Sequence, residues 1–421
     1  MSGRIVIMGS GETAPTMVKL HRTLIAESGD GARAMLDTPF GFQANADDLT
    51  AKVQEYFADA VGAPLEVARW RRRDEPSTIR ERSLELLHRA RFVFAGPGSP
   101  TYALHQWEGT GVPDAMVETI QRGGTVVLGS AAAVTAGAWS VPVYEIYKVG
   151  EEPRWVPGLD LLGSILGMPA AVIPHFDNRE GGRHDTRFCY LGEQRLNLME
   201  DLLPSGVGVL GVDEHTAVVM DTAAGRAGVH GAGGMTIRAG ARVEVVPAGE
   251  SISLDDLSAL LAGASVGLGD VPSIPPTAVI EAAVDEAPVS LKAIADETSR
   301  RFNECLDKGD ADGALECILE LDDTIHDWAA DTLQGDDQKV ARRTLRAMLV
   351  RLAGAAVEGL KDPRDTLDPV MQVVLDARAR ARAAKDFATS DALRDGLLAA
   401  GIEVRDTPDG VVWAPTGVGR T

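Results

Sequence analysis

The sequence predicts an α/β protein with a doubly wound, mostly parallel sheet, followed by an all-α bundle with a small terminal β-hairpin. Up to about residue 277, short apolar runs alternate with amphipathic stretches, as in strands joined by crossover helices. After that point apolar residues recur every three or four positions, which is typical of packed helices. Close to the C-terminus, two short β-type runs flank a turn at Pro408–Gly410, which predicts the hairpin.

The length of 421 residues predicts at least two domains, because a single core rarely grows to that size. The segment GLGDVPSIPP is rich in Gly, Pro and Ser and is typical of a linker. We therefore expect an α/β domain over 1–266, a linker over 267–276 and a helical domain over 277–421.

Composition and charge exclude several classes of protein. No apolar run approaches the roughly 20 residues of a membrane span, and a strand begins almost at once, which indicates no signal peptide. The three cysteines lack metal-ligand spacing, so we expect reduced thiols, no metal and no cofactor. The net charge of −21 opposes non-specific attraction to nucleic acid. A cytoplasmic protein without membrane contact is expected.

The first domain contains seven candidate strands that alternate with helical stretches. They are Arg4–Met8, Arg33–Asp37, Leu65–Trp70, Phe92–Ala95, Thr125–Leu128, Ala170–Pro174 and Val207–Val212. Between Gly206 and Ala262 short alternating runs predict an antiparallel edge that completes this domain.

Glycine-containing turns follow three of these strands, at Gly9–Pro15, Ala95–Tyr102 and Leu128–Val134. One such turn is more often structural than functional, but ligands of doubly wound sheets gather at the carboxyl ends of strands. We therefore expect a binding site there. The candidate substrate-binding residues from these turns are Gly96, Gly98, Ser99 and Gly129.

The third turn lies within Gly123–Trp139, GGTVVLGSAAAVTAGAW, where a β-branched strand runs through a Gly-Ser turn into an alanine-rich helix. In hydrolases such a junction lifts a nucleophile off the sheet and supplies backbone N–H groups to an oxyanion.

Five short motifs follow one another along the first domain: GSGETAP, GPGSPTYAL, GSAAAV, PHFDNREGGRHDTRFCYLGEQRL and GVDEHTAVVM. Their order resembles that in the peptidase family containing dipeptidase E and cyanophycinase. Over roughly residues 4–250, the resemblance implies a fold similar to class I glutamine amidotransferases. It also implies a serine triad, with His175 as the histidine and Glu145 as the acid. Asp213 and Glu214 correspond to an acidic turn of that family, where His215 replaces a small residue and narrows the pocket.

The resemblance breaks down at the nucleophile, since the family elbow reads Gly-x-Ser-Ala-Gly. Aligning Gly129 with its first glycine puts Ser130 at the variable position and Ala131 where the serine belongs. A methyl group cannot attack a carbonyl, so this register predicts loss of the standard mechanism. A shift by one residue would make Ser130 the nucleophile, and Ser130 could also serve only as a helix N-cap.

Several other side chains are candidates for the same pocket. His175 could instead be an ordinary hydrogen-bonded histidine of a sheet edge. His184, Arg187 and Arg195 could face a substrate, with the arginines gripping a carboxylate, or could be solvated. Cys189 could replace the nucleophile, although packing as a small hydrophobe is the simpler interpretation.

The C-terminal run DARARARAAKDFATSDALRDGLLAAGIEVRDTPDGVVW resembles the C-terminal end of cysteinyl-tRNA synthetases, and residues 278–360 resemble their helical domain. The chain has no segment like His-Ile-Gly-His or Lys-Met-Ser-Lys-Ser, so we do not expect a complete synthetase. The resemblance implies tRNA binding. The candidate RNA-binding residues are Arg378, Arg380, Arg382, Lys385 and Arg394, unless they form ordinary helix salt bridges.

Two functions follow from these predictions. The first is a degenerate serine-peptidase-like domain joined to a tRNA-binding domain, which binds or processes an aminoacyl or peptidyl substrate without the standard nucleophile. The alternative is an active serine hydrolase of acidic peptides or amides that uses Ser130. The helical domain could also serve only to form a homodimer.

Overall fold

A computed structural model describes residues 3–178, 184–264, 290–328, 335–360, 363–407 and 410–415. The chain divides into two compact units, one formed by Met1–Glu297 and Glu320–Arg343, the other by Thr298–Leu319 and Thr344–Thr421. The predicted linker at 267–276 lies outside the described residues.

The first unit contains two sheets. Its strands are β1 Arg4–Met8, β2 Ala32–Leu36, β3 Glu66–Ala68, β4 Ala90–Ala95, β5 Thr125–Gly129, β6 Trp139–Ser140, β7 Val156–Pro157, β8 Ala170–Ile173, β9 Gly208–Val212, β10 Thr216–Asp221, β11 Arg226–Gly231, β12 Gly234–Ala239, β13 Arg242–Pro247 and β14 Ser251–Ser253. An eight-stranded sheet has the order β14-β11-β10-β1-β5-β4-β2-β3, and a six-stranded sheet has the order β13-β12-β9-β8-β6-β7.

All seven predicted strands are present, and the α/β prediction is confirmed. β1, β5, β4, β2 and β3 pair in parallel, and β10, β11 and β14 add the predicted antiparallel edge. The prediction of a single sheet differs from the structure at one point. β10 pairs with the edge of β1 that does not pair with β5. For this reason β8 and β9 do not extend that sheet but pair in parallel within the second sheet.

Helices cover these sheets: α1 Val18–Glu27, α2 Ala46–Glu55, α3 Ser77–Arg89, α4 Pro100–Trp107, α5 Gly111–Gln121, α6 Ser130–Thr135, α7 Leu161–Leu166, α8 Gly192–Glu200 and α9 Leu254–Leu261. The central strands are apolar on both faces, as a strand covered on both sides requires. In β1, for example, Ile5 and Ile7 join one buried cluster while Val6 and Met8 join another.

The C-terminal part is helical and ends in a hairpin, as predicted. Its elements are α10 Leu291–Asp307, α11 Ala311–Asp327, α12 Gly335–Leu360, α13 Pro363–Ala383, α14 Phe387–Ala399, β15 Ile402–Thr407 and β16 Gly410–Pro415. β15 and β16 pair antiparallel, with Thr407 opposite Gly410. The Trp413 indole Nε1 donates to Asp368 Oδ1 at 3.1 Å, which attaches the hairpin to α13.

Candidate active site

Ser130 lies at the sharp junction between β5 and α6. Its φ of 48° is in the left-handed region, and its side chain is buried, with only 5% of the residue exposed. All six residues of α6 are buried, which only a run as small as SAAAVT allows this close to the sheet. Gly129 is required just before it, because a Cβ there would lie 2.9 Å from Glu12 Cδ.

Ser130 is in contact with a histidine and, through it, with a carboxylate. Ser130 Oγ lies 3.0 Å from His175 Nε2, and His175 Nδ1 lies 2.8 Å from Glu214 Oε1. With its proton on Nδ1, His175 donates to Glu214 and accepts from the Ser130 hydroxyl. The predicted register put Ala131 at the nucleophile position, whereas Ser130 is the residue that the turn presents to His175. An imidazole held in this way can accept the hydroxyl proton.

The second sheet brings His175 and Glu214 together. His175 follows β8 and Glu214 follows β9, and the carboxyl ends of these parallel neighbours lie at the same edge. The backbone N–H of His175 donates to Gly9 O at 3.2 Å, which holds this loop against the first glycine-containing turn.

Glu145, the acid implied by the family resemblance, does not occupy that position. It begins a short helical turn, Glu145–Val149, and its Oε2 accepts a hydrogen bond from Thr101 Oγ1 at 3.1 Å. The contact with His175 belongs to Glu214. Sequence reasoning noted Glu214 as part of an acidic turn but missed this role. The order of the strands was one signal, since Glu214 follows the next predicted strand after the one that carries His175, but the pairing of the two strands is visible only in the structure.

A set of hydrogen-bonded polar groups holds Glu214 in place. Asn178 Nδ2 donates to Glu214 Oε1 at 3.3 Å, and Thr186 Oγ1 donates to Asn178 Oδ1 at 2.8 Å. The Glu214 backbone N–H donates to Asp177 Oδ1 at 2.7 Å. Such supporting bonds fix the orientation of an imidazole–carboxylate pair before any ligand arrives.

The electrostatics of this cluster keep Glu214 ionised and Cys189 neutral. Burial acts to raise the pKa of the Glu214 carboxyl, but its interactions with His175, His215 and Asn178 together outweigh this, and the pKa falls below its usual value. Burial, followed by the negative charge of Glu214, raises the pKa of the Cys189 thiol to about 12. Cys189 is therefore a protonated thiol at neutral pH and a poor nucleophile.

A cavity of about 40 Å³ adjoins Ser130 and His175. Its walls also include Gly98, Val134, Val143, Tyr144, Cys189 and Tyr190. Four of these lining residues, namely Ser130, His175, Cys189 and Tyr190, have positive φ, out of eight such non-glycine residues in the described parts of the chain. Left-handed backbone is costly for residues with a Cβ and tends to persist at functional sites.

The four predicted binding residues of the glycine turns lie around this junction but differ in role. Gly98 lines the cavity, and its carbonyl accepts from Tyr144 OH at 3.2 Å. Gly96 accepts from the Ala132 N–H at 3.2 Å and so ties β4 to α6. The Ser99 hydroxyl accepts a hydrogen bond from the backbone N–H of Tyr102 in the first turn of α4 and so caps this helix.

The three side chains after His175 that were predicted to face a substrate form contacts with other protein groups. Arg187 forms ion pairs with Asp185 at 2.9 Å and Glu193 at 3.4 Å. Arg195 donates to the Leu191 carbonyl at 3.3 Å. His184 is exposed and its ring stacks near Tyr147, with centroids 6.3 Å apart.

The predicted RNA-binding residues divide into two groups. Arg378 is only 4% exposed and forms two hydrogen bonds of 2.8 Å with the Asp406 carboxylate, which also accepts from Arg382 at 2.6 Å. These bonds, led by those from Arg378, hold the pKa of Asp406 well below its usual range. Arg378 therefore connects α13 to β15. Arg380, Lys385 and Arg394 are exposed.

A comparison with solved structures finds the crystal structure of a peptidase from an acI-B1 Actinobacterium, with a TM-score of 0.50 and 21% identity, covering 60% of this chain and 97% of that one. The α/β part shares the fold of that structure. This confirms the fold that the order of the five sequence motifs implied.

For the C-terminal part, the family described as the cysteinyl-tRNA ligase anticodon binding domain matches residues 364–413. The chain is also similar to the cysteine–tRNA ligase of Chlorobium luteolum, with 42% identity over 93 residues, covering 20% of this chain and 19% of that enzyme. With the ligase of Chlorobium chlorochromatii it shares 61% identity over 51 residues, covering 12% of this chain and 11% of that enzyme. The chain thus spans less than a fifth of these relatives, and the predicted resemblance is confirmed for this segment.

Within the described residues, no helix combines the length and apolar character needed to cross a bilayer.

Proposed function

We propose that the α/β part is a serine-type acyl hydrolase with Ser130 as nucleophile, His175 as general base and Glu214 as its orienting carboxylate. The observation that carries this proposal is the continuous contact from Ser130 Oγ to His175 to Glu214, at 3.0 and 2.8 Å. It favours the active hydrolase over the degenerate domain without a nucleophile. The peptidase fold supports a carbonyl substrate but does not identify it.

In the proposed mechanism Ser130 Oγ attacks the carbonyl carbon while its proton passes to His175 Nε2. The ionised Glu214 stabilises the imidazolium that forms. Ala131 lies in the first turn of α6, where a helix leaves backbone N–H groups without intrahelical acceptors, and its N–H is available to the oxyanion. His175 then returns the proton to the leaving group, and water releases the acyl group from Ser130 by the reverse steps.

A fluorophosphonate probe tests this proposal, because it reacts covalently with activated serine hydroxyls. Wild-type protein should be labelled at Ser130, as read by mass spectrometry of peptides, and Ser130→Ala should lose the label. Ser99→Ala is the matched control, since Ser99 lies at the same edge of the sheet but serves as a helix cap. Labelling that survives Ser130→Ala, or an unlabelled wild-type protein, contradicts the proposal.

We also propose that the C-terminal segment binds tRNA and that the chain acts in the cytoplasm on an amino-acid-derived acyl group. The match to an anticodon-binding family over residues 364–413 supports tRNA binding. The exposed Arg380, Lys385 and Arg394 are the proposed phosphate contacts, while Arg378 has a structural role. Phe387 is 59% exposed on α14, which suits base stacking. Gel-shift binding with total tRNA tests the proposal, and no shift at low salt would remove it.

A further inference from the structure

The cavity beside Ser130 is small for a substrate pocket. Its volume of about 40 Å³ is far below the roughly 150 Å³ of an apolar cavity that accommodates a benzene ring. It has room for a methyl group or a group of similar size next to the hydroxyl, and a leucyl or phenylalanyl side chain would extend beyond it.

The walls that limit its depth are held in place by their own contacts. Val134 and Val143 are almost fully buried, so their branched side chains cannot turn away into solvent. Tyr144 donates its hydroxyl proton to the Gly98 carbonyl at 3.2 Å. The Tyr190 ring stacks on Tyr147 with centroids 4.9 Å apart. The cavity is therefore narrow because of packed groups rather than mobile ones.

The electrostatic character of the cavity disfavours an anionic group. None of its lining residues, within the described parts of the chain, is lysine or arginine. The carboxylate of Glu214 lies directly behind His175, and its charge contributes to the raised pKa of the Cys189 thiol in the cavity wall. A substrate carboxylate placed in the cavity would meet the same negative charge. Arg187, which could have compensated for it, is paired with Asp185 and Glu193.

We infer that this cavity is the subsite for the side chain of the acyl residue, and that it selects small uncharged residues such as glycyl, alanyl, seryl or cysteinyl over large or acidic ones. The inference rests on the proposed function. Ser130 Oγ becomes bonded to the acyl carbon, and the oxyanion points to the Ala131 N–H. In this assignment the group that enters the cavity beside these two residues is the acyl residue's own side chain. Val134 and Val143 are the specificity-determining residues.

The test uses the full chain and a panel of aminoacyl p-nitroanilides: glycyl, alanyl, leucyl, phenylalanyl and aspartyl. Since a misfitting methylene or two in such a pocket costs about 10- to 200-fold, kcat/KM for the alanyl compound should exceed that for the leucyl compound at least about tenfold. Val143→Ala should enlarge the cavity and raise the leucyl-to-alanyl ratio by about tenfold. Val149→Ala is the matched control, because Val149 is exposed on the neighbouring helical turn, and it should leave the ratio unchanged.

Val134→Ala provides a second enlargement of the cavity, in case Val143→Ala lowers the amount of folded protein. An alanyl preference that shifts towards leucyl in either variant supports the inference. A preference for the leucyl or aspartyl compound, no cleavage of any compound by labelled protein, or a ratio that neither folded variant changes, overturns it. Fluorophosphonate labelling separates the two proposals. If Ser130 is labelled but the panel gives one of these contradicting results, the hydrolase proposal stands and the subsite inference fails. If Ser130 is not labelled, both are contradicted.

Discussion

At the residue scale, Glu214 and Glu145 offer a direct comparison of two carboxylates. Glu214 contacts His175, while Glu145 accepts a hydrogen bond from Thr101. Replacing the carboxylate of a triad by its amide favours the wrong imidazole tautomer and lowers kcat by about 10⁴-fold in serine proteases. We expect Glu214→Gln to lower the rate of fluorophosphonate labelling by two orders of magnitude or more, roughly in line with that precedent.

Glu145→Gln is the matched control, since it makes the same chemical change in the same unit at a site not bonded to His175. It should retain most of the labelling rate. Equal losses in the two variants, or a loss confined to Glu145→Gln, would return the acid role to Glu145.

A second residue-scale prediction concerns His21, which is fully buried beneath the sheet. Burial lowers the pKa of His21 to about 4, although its hydrogen bond to the Glu12 carbonyl acts in the opposite direction. Below pH 6.5 the unfolded chain takes up a proton at this residue that the folded chain does not. Stability is therefore lost as the pH falls from about 6.5 towards 4. Between pH 7 and pH 5 this single residue should lower the free energy of unfolding by about 2 kcal/mol.

Urea unfolding followed by tryptophan fluorescence measures this effect at the two pH values. His21→Gln keeps an N–H donor for the Glu12 carbonyl but does not titrate, so its stability should depend less on pH by that amount. An unchanged pH dependence in the variant would show that His21 is not the residue responsible.

At the element scale, the strands and helices were predictable and their exact register was not. Runs such as RIVIM and TVVLG are apolar, β-branched and bounded by turn residues, so local sequence alone identifies them. The predicted register was anchored on Gly129 and put Ala131 at the elbow, whereas in the structure Ser130 has the positive φ. Backbone conformation at a single residue is not visible in a pattern of hydrophobicity.

Pairings between distant elements were also beyond the sequence. The resemblance suggested that the acid precedes the histidine in the chain, which pointed to Glu145. Glu214 reaches His175 only because β9 pairs with β8 in a second sheet. Likewise, the ion pair of Arg378 joins residues 28 positions apart, and no helical spacing rule would find it.

That ion pair gives an element-scale prediction. Arg378→Met removes two hydrogen bonds between α13 and β15, and it should destabilise the C-terminal unit by about 1–2 kcal/mol, since Asp406 remains 45% exposed and water screens part of the interaction. Arg380→Met, at an exposed position of the same helix, is the matched control and should leave stability unchanged. Thermal unfolding of the two variants measures the difference. Equal stabilities would mean that the pair does not hold the hairpin.

At the scale of the whole molecule, the net charge of −21 opposes any polyanion, so the proposed tRNA binding must come from local contacts. Exposed Arg380 and Lys385 are candidates for such contacts. Each phosphate contact contributes about one unit to the slope of log K against log salt concentration. The affinity of the full chain should therefore fall steeply with salt, and the loss of one of these cations should reduce the slope by about one unit.

The two proposed activities become one function if the acyl group is carried by the tRNA as an ester. The full chain should then release small amino acids such as alanine or cysteine from aminoacyl-tRNA, measured as free radiolabelled amino acid over time. Ser130→Ala should abolish this release. Arg380→Ala should lower kcat/KM for the tRNA ester but leave cleavage of an alanyl p-nitroanilide unchanged, because the small compound makes no phosphate contact. If Arg380→Ala affects both substrates equally, or the tRNA ester reacts no faster than the small compound, the two parts of the chain act on separate molecules.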